Sequence, residues 1–210
     1  MFFLVLLSSC KDGSEKKDTP VNFGYNMNWL AIKSTEKNKI FQLLKLKIDK
    51  EVTWQKGIET IYTTQKLFVS PSVGKWTIIA GNGLPYGDTK DSVEKIKNLL
   101  IDLSKEFGEA YFFGTHRIVE LQSWIKAKEG KIERVYSYIG ESMQTIASKG
   151  ELAAVEKKVN LFNSLSKEAQ GDSYFEREDI FYPDEEFVMR MAEYWSINPT
   201  KLSNRKDIEN

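Results

Sequence analysis

The sequence predicts an α+β domain, a mainly antiparallel sheet with amphipathic helices packed on one face. Three observations carry that expectation. Residues 91–107 place Val93, Ile96, Leu99, Leu100, Leu103 and Phe107 on one helical stripe. Residues 109–139 alternate at strand spacing and are broken by Glu129-Gly130, a tight-turn dipeptide. Helical spacing returns over 184–195, with Phe187, Val188, Met191, Ala192 and Trp195 on one side.

In chain order, a strand is expected over 27–33, ending at Ser34, an N-cap residue for a helix whose apolar face carries Ile40, Phe41, Leu43 and Leu44. Trp54, Ile58, Ile61 and Tyr62 fall at i, i+4, i+7 and i+8, which predicts a second helix over 53–62. Short β-prone runs at 67–70 and 76–80 flank Pro71-Ser72-Val73-Gly74, a turn composition. The long helix over 91–107 has Gly108 at its C′ position. Strands follow over 109–115, 118–128 and 131–139. In the middle one, Val119, Leu121, Ser123, Ile125 and Ala127 share one face, and Glu120, Gln122, Trp124 and Lys126 share the other. The second set is mostly polar, so the sheet is expected to be covered on one side. Helices are expected again over 151–162 and 184–195, the latter opening on Asp184, Glu185 and Glu186, which complement the helix dipole.

The chain has 210 residues, 41% hydrophobic and 12% aromatic, enough for a sizeable core. No Pro/Gly/Ser-rich linker divides residues 22–205, which read as one domain, with 206–210 as a disordered tail. Lys plus Arg equals Asp plus Glu at 30 each, so no overall field favours nucleic acid as a partner. Beyond residue 7 no apolar run approaches the roughly 20 residues needed to span a bilayer.

The N-terminus carries an address. An apolar run over 1–7 closes on Leu7-Ser8-Ser9-Cys10, and Cys10 is the single cysteine. This ending resembles the lipobox of bacterial lipoproteins. The resemblance implies that residues 1–9 are a signal segment, that Cys10 is lipidated with acyl chains such as palmitate and becomes the new N-terminus, and that residues 10–21 are a flexible tether. It also implies a membrane-anchored protein of the bacterial cell envelope, at the outer membrane or cell surface in a Gram-negative cell. The other reading of residues 1–7 is a strand or a frayed end of a cytoplasmic protein. Residues 11–20 contain no large apolar residue and cannot bury anything, which favours the tether.

Residues able to carry chemistry are few. Gly81-Asn82-Gly83 with Gly87 stands between a strand and a helix, but Pro85 interrupts it and the third glycine is out of step with a dinucleotide-binding loop, so it reads as a turn. His116, the single histidine, is the candidate general base. One histidine cannot form a multi-histidine metal site, and with Cys10 acylated no thiol remains as ligand or nucleophile. No metal site and no cofactor are therefore expected. Glu176, Glu178, Asp179, Asp184, Glu185 and Glu186 crowd a short stretch without the alternating ligands and central Gly of a Ca²⁺ loop. Phe175, Phe181 and Tyr182 interleave them, which reads as a solvated loop pinned by aromatic residues or as an acidic surface for a basic partner. Arg117, Trp124, Glu178 and Asp179 are the candidate binding residues.

Gly74-Lys75-Trp76-Thr77, Glu106-Phe107-Gly108, Phe113, Thr115-His116-Arg117, Trp124, the run from Arg134 to Glu141, and Asp184-Glu185-Glu186 through Trp195, Asn198 and Pro199 resemble a family of uncharacterised bacterial proteins over about residues 28–202. That resemblance implies one stand-alone domain and brings no activity or catalytic residue. Two functions are expected to compete. One is a lipid-anchored binding or interaction module with a protein partner, of the kind in which immunity proteins neutralise a partner. The other is an envelope hydrolase using His116 as general base.

Overall fold

The computed structural model describes residues 3–8 and 18–209. Cys10 lies outside them. The class is α+β, as expected, and its centre is one nine-stranded sheet. Its strands are β1 (Phe3–Ser8), β2 (Asn28–Ile32), β3 (Leu46–Val52), β4 (Leu67–Val69), β6 (Thr77–Ala80), β7 (Glu109–His116), β8 (Leu121–Lys128), β9 (Lys131–Ile139) and β10 (Gln144–Gly150), while β5 (Ser72–Val73) lies between β4 and β6 in the chain but outside this sheet. Short strands β11 (Asn160–Leu161), β12 (Ile180–Phe181) and β13 (Ile208–Glu209) follow. The helices are α1 (Lys37–Leu44), α2 (Trp54–Thr63), α3 (Lys90–Phe107) and α4 (Glu185–Trp195). The sheet order is β10-β9-β8-β7-β2-β6-β4-β1-β3. From β10 to β4 every neighbour is antiparallel, whereas β1 runs parallel to both β4 and β3.

Local chemistry sets the main elements. The Thr53 hydroxyl accepts from the Lys56 amide and caps α2, Thr89 does the same for α3 through Ser92, and Asp184 caps α4 through Phe187. Glu129 and Gly130 join β8 to β9 with φ of 49° and 74°, the two positive angles of a type I′ turn. Gly108 ends α3 at φ 85°. The Gly81–Gly87 segment is a turn: the Gly87 amide donates to Ser92 Oγ at 2.8 Å and its carbonyl accepts from Ser137 Oγ at 2.7 Å.

Helices cover both faces of the sheet, which corrects the one-sided packing expected. Phe112, Ile125 and Val135 face α3 with Val93, Ile96, Leu100 and Leu103. Their chain neighbours Phe113, Trp124 and Tyr136 face the opposite side, where α4 supplies Phe187, Val188 and Met191. The face of β8 read as wet, holding Gln122 and Trp124, is therefore core. The polar composition misled because its aromatic and amide members go under α4.

Other expectations are corrected too. Residues 151–162 do not form an α-helix: they hold a 3-10 turn, Glu156–Lys158, and β11. Tertiary demand outweighs propensity there, because Glu156 is drawn into the core to meet Arg134. The C-terminal residues expected as a tail reach the fold, with Ile208 and Glu209 paired to Val73 and Ser72. The end of the predicted tether is also seated, since the Asp18 carboxylate accepts from the Trp54 amide at the start of α2 and from Ser8 Oγ. Residues 3–8 form β1, with Val5 and Leu6 fully buried on opposite faces.

Candidate functional site

The end of the sheet nearest the β7–β8 connection, with the loop entering α4, forms an open groove of about 540 Å³. Its lining comes from Tyr25, from Arg117 and Glu120 between β7 and β8, from Gln122 on β8, Tyr138 on β9, and the run Tyr182-Pro183-Asp184-Glu185-Glu186. Each group has a structural reason to be there. Gln122 and Tyr138 are directly opposite partners in the β8–β9 register, so they share the face that α4 covers. Asp184 to Glu186 sit where the dipole of α4 favours negative charge. Glu120 has φ 51°, a left-handed conformation that turns the chain into β8, and a Cβ placed on Gly140 would meet its Oε2 at 2.3 Å. Gly140 thus makes room for that carboxylate.

One lip is already paired. Arg117 Nε donates to Glu185 Oε2 at 2.8 Å, and its guanidinium lies over the Tyr25 ring at 5.5 Å. The Tyr25 hydroxyl donates to Glu186, and that bond, with burial and the charges of Glu186 and Glu185, pushes the phenol up to about 12. The inner wall is not paired. Gln122 is only 4% exposed, yet its Oε1 is buried without a hydrogen-bond partner among the described residues. Leaving such an acceptor unmade costs about 1–3 kcal/mol. Tyr138 and Tyr182 stand beside it with ring centroids 6.4 Å apart and planes at 49°. Burial, then Tyr182 and the Glu120 carboxylate, push the Tyr138 phenol up to about 12, so this tyrosine serves as a neutral ring near neutral pH.

The sequence-predicted residues are only partly brought together. Arg117 lines the groove, but His116 does not: its ring packs edge-on against Tyr86 at 5.6 Å, and its buried Nδ1 meets no partner among the described residues. Trp124 is fully buried, stacked on Tyr136 at 4.4 Å with Nε1 donating to Glu156 at 3.0 Å, which makes it part of the core. Asp179 belongs to a surface clasp elsewhere, held by Arg177 and Asn160, and Glu178 is exposed beside it. Arg177 and Asn160 hold the Asp179 carboxyl down at about 2. The aromatic pinning of this loop runs through Phe162, which stacks on Tyr182 at 4.8 Å. Gln122, Tyr138 and Glu120 escaped the sequence reading, although Gln122 among the hydrophobic neighbours of a buried strand was the available signal.

Among the described residues no group of three or more His, Cys, Asp or Glu side chains is placed to hold a metal ion, and no helix is long and apolar enough to cross a membrane. The chain matches no protein-family model, and neither the curated proteins nor the solved structures contain a match to it.

Proposed function

We propose that this chain is a lipid-anchored binding module of the bacterial cell envelope, and that the groove between Gln122, Tyr138 and the Tyr182–Glu186 segment is its contact surface. The observation that carries the binding half is the Gln122 acceptor, buried without a protein partner in a groove walled by tyrosines and carboxylates. An acceptor left unmade there costs stability, and a ligand donor reaching it from the groove would recover that cost. The anchor half is supported by Leu7-Ser8-Ser9-Cys10 and by the polar stretch after it. Processing at Cys10 removes β1, so the tethered form carries the antiparallel part of the sheet as its folded body.

The hydrolase reading needs a nucleophile or carboxylate against His116. The contact this ring makes is with Tyr86, and its buried nitrogen meets neither. Binding is accordingly the reading we adopt. The test is affinity capture of the anchored protein from its own envelope, side by side with Glu120→Arg and Tyr182→Ala forms. A stoichiometric partner retained by the wild type and lost by both variants is expected. Equal capture by all three would remove the groove from the function.

A further inference from the structure

The groove holds four carboxylates, Glu120, Asp184, Glu185 and Glu186, against one guanidinium, Arg117, which Glu185 already engages. An anionic ligand would meet net repulsion, and a purely apolar one would leave Gln122 Oε1 unsatisfied. Glu120 is exposed and holds no ion pair among the described residues. Two tilted tyrosine rings beside it present the negative π faces on which a cation is stabilised. Pro183, a largely buried member of the groove lining, adds apolar surface for an alkyl stem.

Resting on the binding-module reading above, we propose that the groove takes a guanidinium on an aliphatic stem, the chemistry of an arginine side chain in an extended basic peptide. The planar fork of five N–H donors can reach a carboxylate and an amide oxygen together, which an ammonium does less well. Glu120 and Gln122 Oε1 are the two acceptors. Tyr138 and Tyr182 flank the cation. The lip of the same groove already carries this arrangement in miniature: Arg117 lies over Tyr25 and bonds to Glu185. The incoming side chain repeats that pairing at Glu120 and Gln122, two acceptors of the groove lining without an ion pair or hydrogen-bond partner among the described residues.

The probe is acetyl-tri-arginine amide titrated calorimetrically into the full chain in detergent, with tri-lysine, tri-citrulline and tri-glutamate of the same length as comparisons. Saturable binding of tri-arginine is expected. Tri-citrulline, which keeps the shape and loses the charge, should bind about tenfold more weakly or worse. Gln122→Leu should weaken tri-arginine about tenfold, and the exposed-site change Glu120→Gln about fivefold. Because Gln122 is buried, Tyr182→Ala provides a second variant, expected to abolish saturable binding while the fold survives with the modest loss in melting temperature that removing the Phe162 stacking implies. Absence of saturable tri-arginine binding, equal binding of tri-citrulline, or indifference to both Glu120→Gln and Tyr182→Ala would overturn the proposal. If the groove variants lose a captured envelope partner while tri-arginine fails to bind, the guanidinium assignment falls and the binding module stands. If capture also ignores those variants, both fall.

Discussion

Glu156 Oε1 receives Arg134 Nη2 at 2.6 Å where neither side chain meets water, the two being 0% and 2% exposed. The remaining valences are filled. Trp124 Nε1 donates to Glu156 Oε1 at 3.0 Å, the Ala153 amide donates to Oε2 at 2.8 Å, and Arg134 Nη1 donates to the Val135 and Lys149 carbonyls. The pair thus ties β8, β9, the end of β10 and the 3-10 turn after it.

Breaking one half of this pair should cost far more than replacing both. Glu156→Leu strands a buried guanidinium and is expected to lose about 3–5 kcal/mol in denaturant titration. Arg134→Met combined with Glu156→Leu removes both charges and should recover a large part of that loss, a coupling readable in a double-mutant cycle. A single Glu156→Leu within 1 kcal/mol of wild type would sink this account.

The Arg177–Asp179 clasp gives a pH prediction. The folded carboxyl titrates at about 2, below the ordinary value of about 4. A depressed carboxyl contributes stability that is present above its unfolded pKa and lost as pH falls through the folded one, so the clasp should weaken between about pH 4 and pH 2. Both partners are solvent-facing, so screening keeps its stability contribution small. The sharp readout is the Asp179 carboxyl carbon by NMR, with a midpoint near 2 that moves toward 4 in Arg177→Gln. An unmoved midpoint in the variant would assign the shift to something other than Arg177.

His116→Gln tests the hydrolase alternative directly. The ring contributes an edge contact to Tyr86, so the substitution should change stability by about 1 kcal/mol or less. Capture of any groove partner should persist. A general base would behave otherwise, with losses on the order of 10²-fold or more in turnover. Hydrolytic activity present in wild type and absent in an equally stable His116→Gln protein would restore the enzyme reading.

What was legible in the sequence followed from local chemistry. The α3 stripe closing on Gly108, the Glu129-Gly130 hairpin and the acidic opening of α4 are set within a few residues, and each stands where it was expected. β3 and β10 were missed because Lys47, Asp49 and Lys50, or Ser148 and Lys149, give no apolar alternation; they pair as the outermost strands and need little burial. The turn at Glu156 reads as helix because its partner Arg134 is 22 positions away. The groove was half legible for the same reason. Arg117 and the acidic start of α4 show in the chain, but the register that sets Gln122 against Tyr138 is a long-range pairing.

The anchor has its own experiment. Cell-associated protein is expected to begin at an acylated Cys10, and Cys10→Ala should leave it unprocessed or free of the membrane. Each buried acyl methylene contributes about 0.8 kcal/mol, so several chains hold where a single chain is marginal. Intact mass of membrane-extracted protein decides it. A soluble form starting at unmodified Met1 would remove the lipid from the function.

Among the described residues β3 has β1 as its single strand neighbour, and most of its side chains face solvent. Loss of residues 1–9 therefore removes the backbone partner of β3 together with the burial of Val5 and Leu6, worth about 1.5–3 kcal/mol for each side chain fully buried. The antiparallel strands β7 to β10 and helices α3 and α4 make no pairing with β1 and should keep their amides protected. In a protein beginning at Cys10, hydrogen exchange is expected to show β3 amides open toward the fast limit, β4 partly freed, and β8 unchanged. β3 and β4 both run parallel to β1 and are joined through α2, so one alternative is available to the shortened chain: β3 closing directly onto β4 as a β-α-β unit. Protection of β3 equal to that in the full chain would mean that this closure occurs and that β1 is dispensable to the sheet.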